Sequence, residues 1–149
     1  VLSMGDVEHN DIGSLLKRCK HLCREVDVLL VPHHGGKVDF ITKDFLDELR
    51  PSVAVCTANA SNQHSHPHPN ITSLFNREGI PLMTTRRGDV LIHSIGGHFR
   101  NYQALDLLSD GESSQRSEVL IARKHHLMSM NGDTIKNTFI RKNHGPRRR

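Results

Sequence analysis

The sequence alternates three times between a short apolar run and a segment with helical periodicity, and this alternation is its strongest constraint on the fold. The apolar runs are Val1 to Met4, Val28 to Val31 and Val53 to Cys56. Short apolar runs bounded by glycine, proline or polar residues are typical of buried strands. Strands separated by helices are typical of a parallel sheet, so the pattern predicts an α/β fold with helices over the sheet and right-handed crossovers.

Each predicted strand is followed by a predicted helix. Apolar residues recur at steps of three and four from Asp11 to Val26, and Asn10 or Asp11 is expected to cap this first helix. Thr42 is expected to cap the second helix, and Asn70 is expected to start the third.

The pattern changes after the third helix. Two apolar runs, Pro81 to Thr85 and Val90 to Ser94, flank the polar stretch from Arg86 to Asp89, which predicts a terminal hairpin. Beyond this point the periodicity weakens. We therefore expect one domain over residues 1–104 and a weakly structured, flexible basic tail over residues 105–149.

Positive charge is concentrated near the carboxyl end of the chain. Residues 1–112 contain 11 Lys and Arg against 14 Asp and Glu, whereas residues 113–149 contain 9 against 2, which gives a net charge of +4. The body is therefore not a basic DNA-binding domain. The tail, which ends in Arg147 to Arg149, is either a solvated end or a segment that grips phosphate.

Composition excludes several other classes. With 4% aromatic residues and no Trp, the chain lacks an aromatic platform for nucleic acid. The longest apolar run is far shorter than a membrane span, so we expect no membrane contact by this chain itself. Its three cysteines form no CxxC pair, which fits a reducing compartment and predicts a cytoplasmic or cytoplasm-facing location.

Residues suited to metal binding follow each predicted strand. Asp6 follows the first strand, His33 and His34 follow the second, and a loop with three histidines, His64 to His68, follows the third. Because the carboxyl ends of parallel strands meet at one edge, these groups are expected to share a crevice. Carboxylate oxygen and imidazole nitrogen suit Zn²⁺, with Mn or Fe as alternatives, and such an ion generates hydroxide from water near neutral pH.

The same residues also have structural interpretations. Asp6 follows a glycine and could cap a helix, and the histidine pair could occupy a turn. The loop from His64 to His68 could be a polar surface loop or a metal scavenger, and spacing does not decide which of its histidines points inward. His93 alternates with an apolar residue and is expected to face solvent. The other histidines show no pattern: His9, His21, His98, His125, His126 and His144.

Five motifs occur in a characteristic order over about residues 1–95. They are SMGDVE, DVLLVPHHGG, LRPSVAVCTA, NQHSHPHPN and TTRRGDVLIHS. Together they resemble the metallo-β-lactamase fold, and more narrowly the second half of the hydrolase domain in ComEC-type competence DNA-uptake proteins and their soluble relatives.

This resemblance implies half of an αββα sandwich that holds one or two metal ions, usually Zn²⁺, and activates water to attack a phosphodiester, ester or amide. Asp6 matches the aspartate that bridges the metals, and His66 matches the histidine of the last metal motif. His33 and His34 match a double-histidine motif that lines the site. We therefore take Asp6, His34 and His66 as metal ligands. We take Asp6, His33 and His34 as catalytic residues, with the division of roles within the pair left open.

The principal metal motif of that family, HxHxDH, is absent from the sequence. Three explanations follow: a fragment of a longer enzyme, a fold completed by a partner that supplies the missing N-terminal half, or a degenerate member. The expected function is part of a metal-dependent hydrolase that directs metal-bound hydroxide at a phosphodiester, in DNA or another anionic substrate, and is inactive without the missing half. The alternative is a non-catalytic binding module. A membrane channel fused upstream is compatible with either.

Overall fold

A four-stranded parallel sheet forms the centre of the fold. The computed structural model describes residues 1–19, 23, 25–59, 61, 63–95, 101–107 and 114–121. All neighbouring strands of the sheet run parallel, so their carboxyl ends lie along one edge. In spatial order the strands are β1 (Leu2–Ser3), β2 (Val28–Leu30), β3 (Val53–Cys56) and β4 (Leu82–Thr84).

Among the described residues, three α-helices lie between these strands, and the predicted alternation of strand and helix is confirmed. They are α1 (Asn10–Arg18), α2 (Lys43–Leu49) and α3 (Pro69–Arg77). The predicted cap of α2 is also confirmed, since the Thr42 hydroxyl accepts a hydrogen bond from the Phe45 N–H at 3.3 Å. In the described part of the chain, no helix has the length and apolar character that a membrane span requires.

The start of α1 differs from the prediction. The helix begins at Asn10, and the residue at its N-cap is His9, whose side chain makes no capping hydrogen bond. Asp11 lies in the first turn, where a carboxylate is favoured by the positive end of the helix dipole rather than by a capping hydrogen bond.

A second, antiparallel sheet takes the place of the predicted terminal hairpin. Its strands, in spatial order, are β5 (Val90–Ile95), β6 (Asn101–Leu107) and β7 (Ser114–Ile121). The hairpin prediction is wrong because β4 pairs with β3 and β5 pairs with β6, so the turn from Arg86 to Asp89 links two sheets. The apolar residues Val90 and Ile92 pack against a face of the parallel sheet, which explains why β5 leaves β4.

These strands also extend beyond the expected domain boundary. The predicted boundary at residue 104 lies inside β6, and β7 lies within the segment predicted to be a weakly structured tail. Buried and less buried side chains alternate along β6, and the buried residues Ala104 and Asp106 lie on either side of that boundary. Residues 122–149, which contain most of the predicted basic tail, lie outside the described residues.

The core has two layers, one on each face of the parallel sheet. Leu29, Ala54 and Cys56 point to one face and pack with the helices, around the buried rings of Phe45 and Phe75. The alternate residues of the same strands point to the other face and pack with the second sheet: Val28, Val53, Val55 and Met83. Both faces are covered, which is why the strands read as continuous apolar runs. The observed fold is therefore α/β, with helices, a parallel sheet and an antiparallel sheet in successive layers.

Candidate metal centre

Three loops at the carboxyl edge of the parallel sheet are joined by backbone hydrogen bonds. The His33 N–H donates to the Gly5 carbonyl at 2.9 Å, which joins the loop after β2 to the loop after β1. The His68 N–H donates to the Gly35 carbonyl at 2.7 Å, which joins the loop after β3 to the same turn. The fold therefore places the segment containing Asp6, the histidine pair and the histidine-rich loop side by side.

The histidine pair lies in a left-handed turn that follows β2. The φ angles of His33, His34 and Gly35 are 49°, 53° and 80°. Residues other than glycine rarely adopt positive φ, and strained residues of this kind concentrate at functional sites. The turn leaves both imidazole rings at the surface of the cluster, with side-chain exposures of 38% for His33 and 55% for His34.

His34 is held so that one ring nitrogen faces Asp6. Its Nδ1 atom lies 2.8 Å from the Thr57 carbonyl oxygen and 3.0 Å from the Thr57 hydroxyl. A carbonyl only accepts hydrogen bonds, so Nδ1 carries a proton, and in the neutral form of the ring the lone pair lies on Nε2. Nε2 lies 3.6 Å from Asp6 Oδ1. Metal-binding histidines are commonly oriented by this kind of N–H to carbonyl hydrogen bond.

His33 is paired with the carboxylate of Glu8, which was not predicted as a site residue. Its Nδ1 atom contacts Glu8 Oε1, and an ionised carboxylate can only accept, so the proton lies on Nδ1 here also. On its other side the His33 ring packs edge-on against His66, with ring centroids 5.5 Å apart. Glu8 and His66 together hold the ring of His33 between two loops.

His66 lies at the centre of the imidazole cluster. Its ring stacks on His64 with centroids 5.6 Å apart, in addition to the contact with His33. Burial lowers the pKa of His66, and the neighbouring histidines, His33 first and then His64, His34 and His68, lower it further. The lowered pKa favours the neutral imidazole, which is the form that coordinates metals.

Gly36 allows the loops to approach this closely. A Cβ atom at this position would lie 3.0 Å from His66 Cε1 and 3.3 Å from His33 Cδ2. Any side chain at Gly36 would therefore displace one of the two rings. The close packing of these two rings explains why the second residue of the glycine pair in HHGG, Gly36, is a glycine.

The described residues fit a metal ion only in part. Asp6 Oδ1 and His34 Nε2 face each other, which offers an ion one oxygen ligand and one nitrogen ligand. No three His, Cys, Asp or Glu side chains within the described part of the chain are arranged to hold one ion. A zinc enzyme uses about three protein ligands plus water. The chain thus supplies two facing donors, with His66 as a neighbouring imidazole in the same cluster.

Other candidate residues have structural roles or lie elsewhere. Asp6 caps no helix, since α1 begins at Asn10, so the capping interpretation is wrong. The His68 side chain caps α3 by accepting from the Asn70 N–H at 3.2 Å, which explains why α3 starts one residue before the predicted Asn70. His93 is exposed on β5, as predicted. Five further histidines lie outside the described residues: His21, His98, His125, His126 and His144.

Two residues of the site are invisible to motif spacing alone. Glu8 stands two positions after Asp6, so in an extended loop the two side chains point to the same side. This spacing was the only feature of the sequence that indicated a role for Glu8. Thr57 directly follows β3, so its position at the carboxyl edge of the sheet was predictable, but its pairing with His34 was not.

Comparison with known proteins gives one partial similarity. The chain is 34% identical over 61 residues to ComE operon protein 3 of Bacillus subtilis (strain 168). The match covers 41% of this chain and 8% of the length of that protein. No protein-family model matches the chain. No solved structure gives a significant match.

Proposed function

We propose that this chain is part of a metal-dependent hydrolase in which Asp6, His34 and His66 hold Zn²⁺, as one or two ions, with Mn or Fe as alternatives. The observation that carries the proposal is the geometry of His34. The Thr57 carbonyl holds a proton on Nδ1, and Nε2 faces Asp6 Oδ1 across 3.6 Å, so the neutral ring would direct its lone pair toward Asp6. A metal ligand needs this arrangement, whereas a simple turn residue does not.

The layer order of the fold supports the proposal. The order of helices, parallel sheet and second sheet is the order that three of the four layers of an αββα metallo-β-lactamase sandwich would have. The similarity to ComE operon protein 3 agrees with the resemblance to ComEC-type proteins. We accordingly propose a phosphodiester, in DNA or another anionic molecule, as the substrate, and a cytoplasm-facing location for the site.

The residues of this chain have distinct roles in the proposed reaction. When bound, a divalent ion supplies Lewis acidity that lowers the pKa of water toward neutral pH. Asp6 and His34 orient that ion, and Thr57 keeps the His34 ring in the ligating tautomer. His33 is held by Glu8 through Nδ1, so when its ring is protonated it would act from Nε2–H, either to stabilise negative charge or to donate a proton to the leaving group.

The donor set of the described residues is smaller than a zinc hydrolase requires. We propose that the missing ligands come from an HxHxDH segment in another part of the enzyme or in a partner polypeptide. The same shortage of donors favours a second candidate function, a non-catalytic binding module derived from the hydrolase fold. The two candidates differ in whether phosphodiester turnover depends on Asp6 and His34.

The test uses the full native product that contains this chain, loaded with Zn²⁺, and hydrolysis of bis(p-nitrophenyl) phosphate. Asp6→Asn and His34→Asn are expected to lower kcat/KM by about 100-fold or more, because each replaces a strong metal ligand with a weakly coordinating neutral amide. The side-chain amide of asparagine keeps an N–H group to donate a hydrogen bond to Thr57, and asparagine tolerates the positive φ at position 34. His93→Gln, on an exposed strand, is the matched control and should retain activity. Turnover in both site variants equal to the control, or no turnover in the native product, would favour the binding module.

A further inference from the structure

The loop between β4 and β5 lies at the same edge of the sheet as the candidate metal centre. The Thr85 N–H donates to the Cys56 carbonyl at 3.1 Å, and the Thr85 hydroxyl donates to the Ala58 carbonyl at 3.1 Å. At the other end of the loop, the Leu107 N–H donates to the Asp89 carbonyl at 2.7 Å. The loop is therefore fixed to β3 at its start and to β6 at its end.

These hydrogen bonds connect the loop to His34 through a single residue. Cys56 and Ala58, the two acceptors for Thr85, are the neighbours of Thr57 in the chain. Thr57 in turn accepts from His34 Nδ1. Arg86 follows Thr85 in the chain, so its backbone lies near the segment from Cys56 to Ala58 that orients the His34 ring.

The charges around the edge differ between loops. The loop after β1 carries Asp6 and Glu8 and contains no Lys or Arg, the loop after β2 carries Lys37 and Asp39, and the loop after β3 contains no charged residue apart from its histidines. The β4–β5 loop has two adjacent cations, Arg86 and Arg87, both exposed. The two carboxylates repel an anionic substrate, and cationic side chains at the same edge would offset that repulsion. Arginine suits this task because its planar guanidinium binds phosphate oxygens in pairs.

We infer that Arg86 and Arg87 form a phosphate-binding subsite that holds a phosphodiester of the substrate beside Asp6 and His34. The inference extends the proposed function by assigning the residues that bind the anionic group. Phosphate binding by this loop is measurable without metal, so its outcome is independent of whether the centre holds Zn²⁺.

The experiment is an NMR titration of the metal-free chain with a thymidine dinucleotide, which contains one phosphodiester. The readout is the Cε1–H resonance of the His34 ring. In the wild-type chain we expect this resonance to shift with added dinucleotide. In the Arg86→Gln/Arg87→Gln variant the Kd should weaken by about tenfold or more, since two charge-assisted contacts are lost.

The matched control is Lys17→Gln/Arg18→Gln, which removes the same charge. These residues lie in the last turn of α1, which in a right-handed crossover returns toward the amino ends of the strands. The Kd of the control variant for the dinucleotide should stay within about twofold of wild type. Charges on α1 lie away from the candidate metal centre, and salt screens their effect on binding there. Unchanged amide spectra in the core check the fold of both variants.

Three results would overturn the inference. They are a His34 resonance that does not respond in the wild-type chain, a Kd for the Arg86→Gln/Arg87→Gln variant within twofold of wild type, and equal weakening in both double variants. Loss of Zn²⁺ binding in Asp6→Asn with intact dinucleotide binding would instead separate the subsite from the metal centre and leave the inference standing.

Discussion

His34 Nε2 lies 3.6 Å from Asp6 Oδ1, although the two residues follow different strands of the sheet. The hydrogen bond from the His33 N–H to the Gly5 carbonyl fixes this proximity at the level of the backbone. The proposed shared cation depends on this arrangement, in which the two side chains face each other and the opposite ring nitrogen is bound to Thr57.

Gly35→Ala is expected to destabilise the fold strongly. Gly35 has a φ of 80°, and a Cβ atom there would lie 2.7 Å from Cys56 Sγ and 2.9 Å from Pro67 Cβ. Backbone strain and overpacking should together lower the free energy of unfolding by about 2–4 kcal/mol. Urea denaturation monitored by circular dichroism measures this change.

Gly79→Ala is the matched control for Gly35→Ala. Gly79 also has a positive φ, 67°, but a Cβ atom there would meet nothing within 4 Å. Gly79→Ala should therefore lower the free energy of unfolding only by the cost of a positive φ, about 1 kcal/mol. Equal losses in the two variants would show that the approach of Gly35 to Cys56 contributes nothing to stability.

Glu8→Ala is expected to change stability little but to release the His33 ring. The two side chains are 58% and 38% exposed, and exposed ion pairs contribute at most about 1 kcal/mol. The ¹⁵N shifts of the His33 ring should move away from the Nδ1–H tautomer in Glu8→Ala, whereas Asp11→Ala, in the first turn of α1, should leave them unchanged. Ring shifts identical to those of wild type would contradict the role given to Glu8.

The three thiols are expected to differ in reactivity. Cys19 is exposed, whereas Cys23 and Cys56 are buried. Burial raises the pKa of Cys56 to about 12, and it also raises the pKa of Cys23, with smaller effects from Glu48 and Cys19. At pH 8, Ellman's reagent should label one thiol in the native chain and all three after denaturation; Cys19→Ser should abolish native labelling. Rapid native labelling in Cys19→Ser would show that the core opens readily.

The raised thiol pKa values also predict how stability depends on alkaline pH. Well below pH 9, Cys23 and Cys56 are protonated in both the folded and the unfolded chain, so they cause no change in stability. As pH rises from about 9 toward 12, the unfolded chain loses thiol protons that the folded chain retains, so the free energy of unfolding falls. In Cys56→Ala this fall should be smaller; an unchanged slope would contradict the burial of that thiol.

The parallel half of the fold was predictable because its determinants are local. The runs at β2 and β3 are apolar throughout since both faces of those strands are covered. Thr42 caps α2 through a local hydrogen bond. From strand order alone it follows that Asp6 and the histidine pair emerge at one edge.

The second sheet and the partners within the site were not predictable in the same way. The turn from Arg86 to Asp89 has the composition of a hairpin, but packing of Val90 and Ile92 on the other face of the sheet decides where β5 goes. The contacts between His34 and Thr57 and between His33 and Glu8 join different loops, and no periodicity records them.

Zn²⁺ binding by the chain, measured by isothermal titration calorimetry, tests the proposed metal centre most directly. His34→Asn and Asp6→Asn should each weaken the Kd by about tenfold or more, which corresponds to about 1.4 kcal/mol per site residue, while His93→Gln stays within about twofold of wild type. Wild-type affinity in both His34→Asn and Asp6→Asn would show that the two residues do not share an ion.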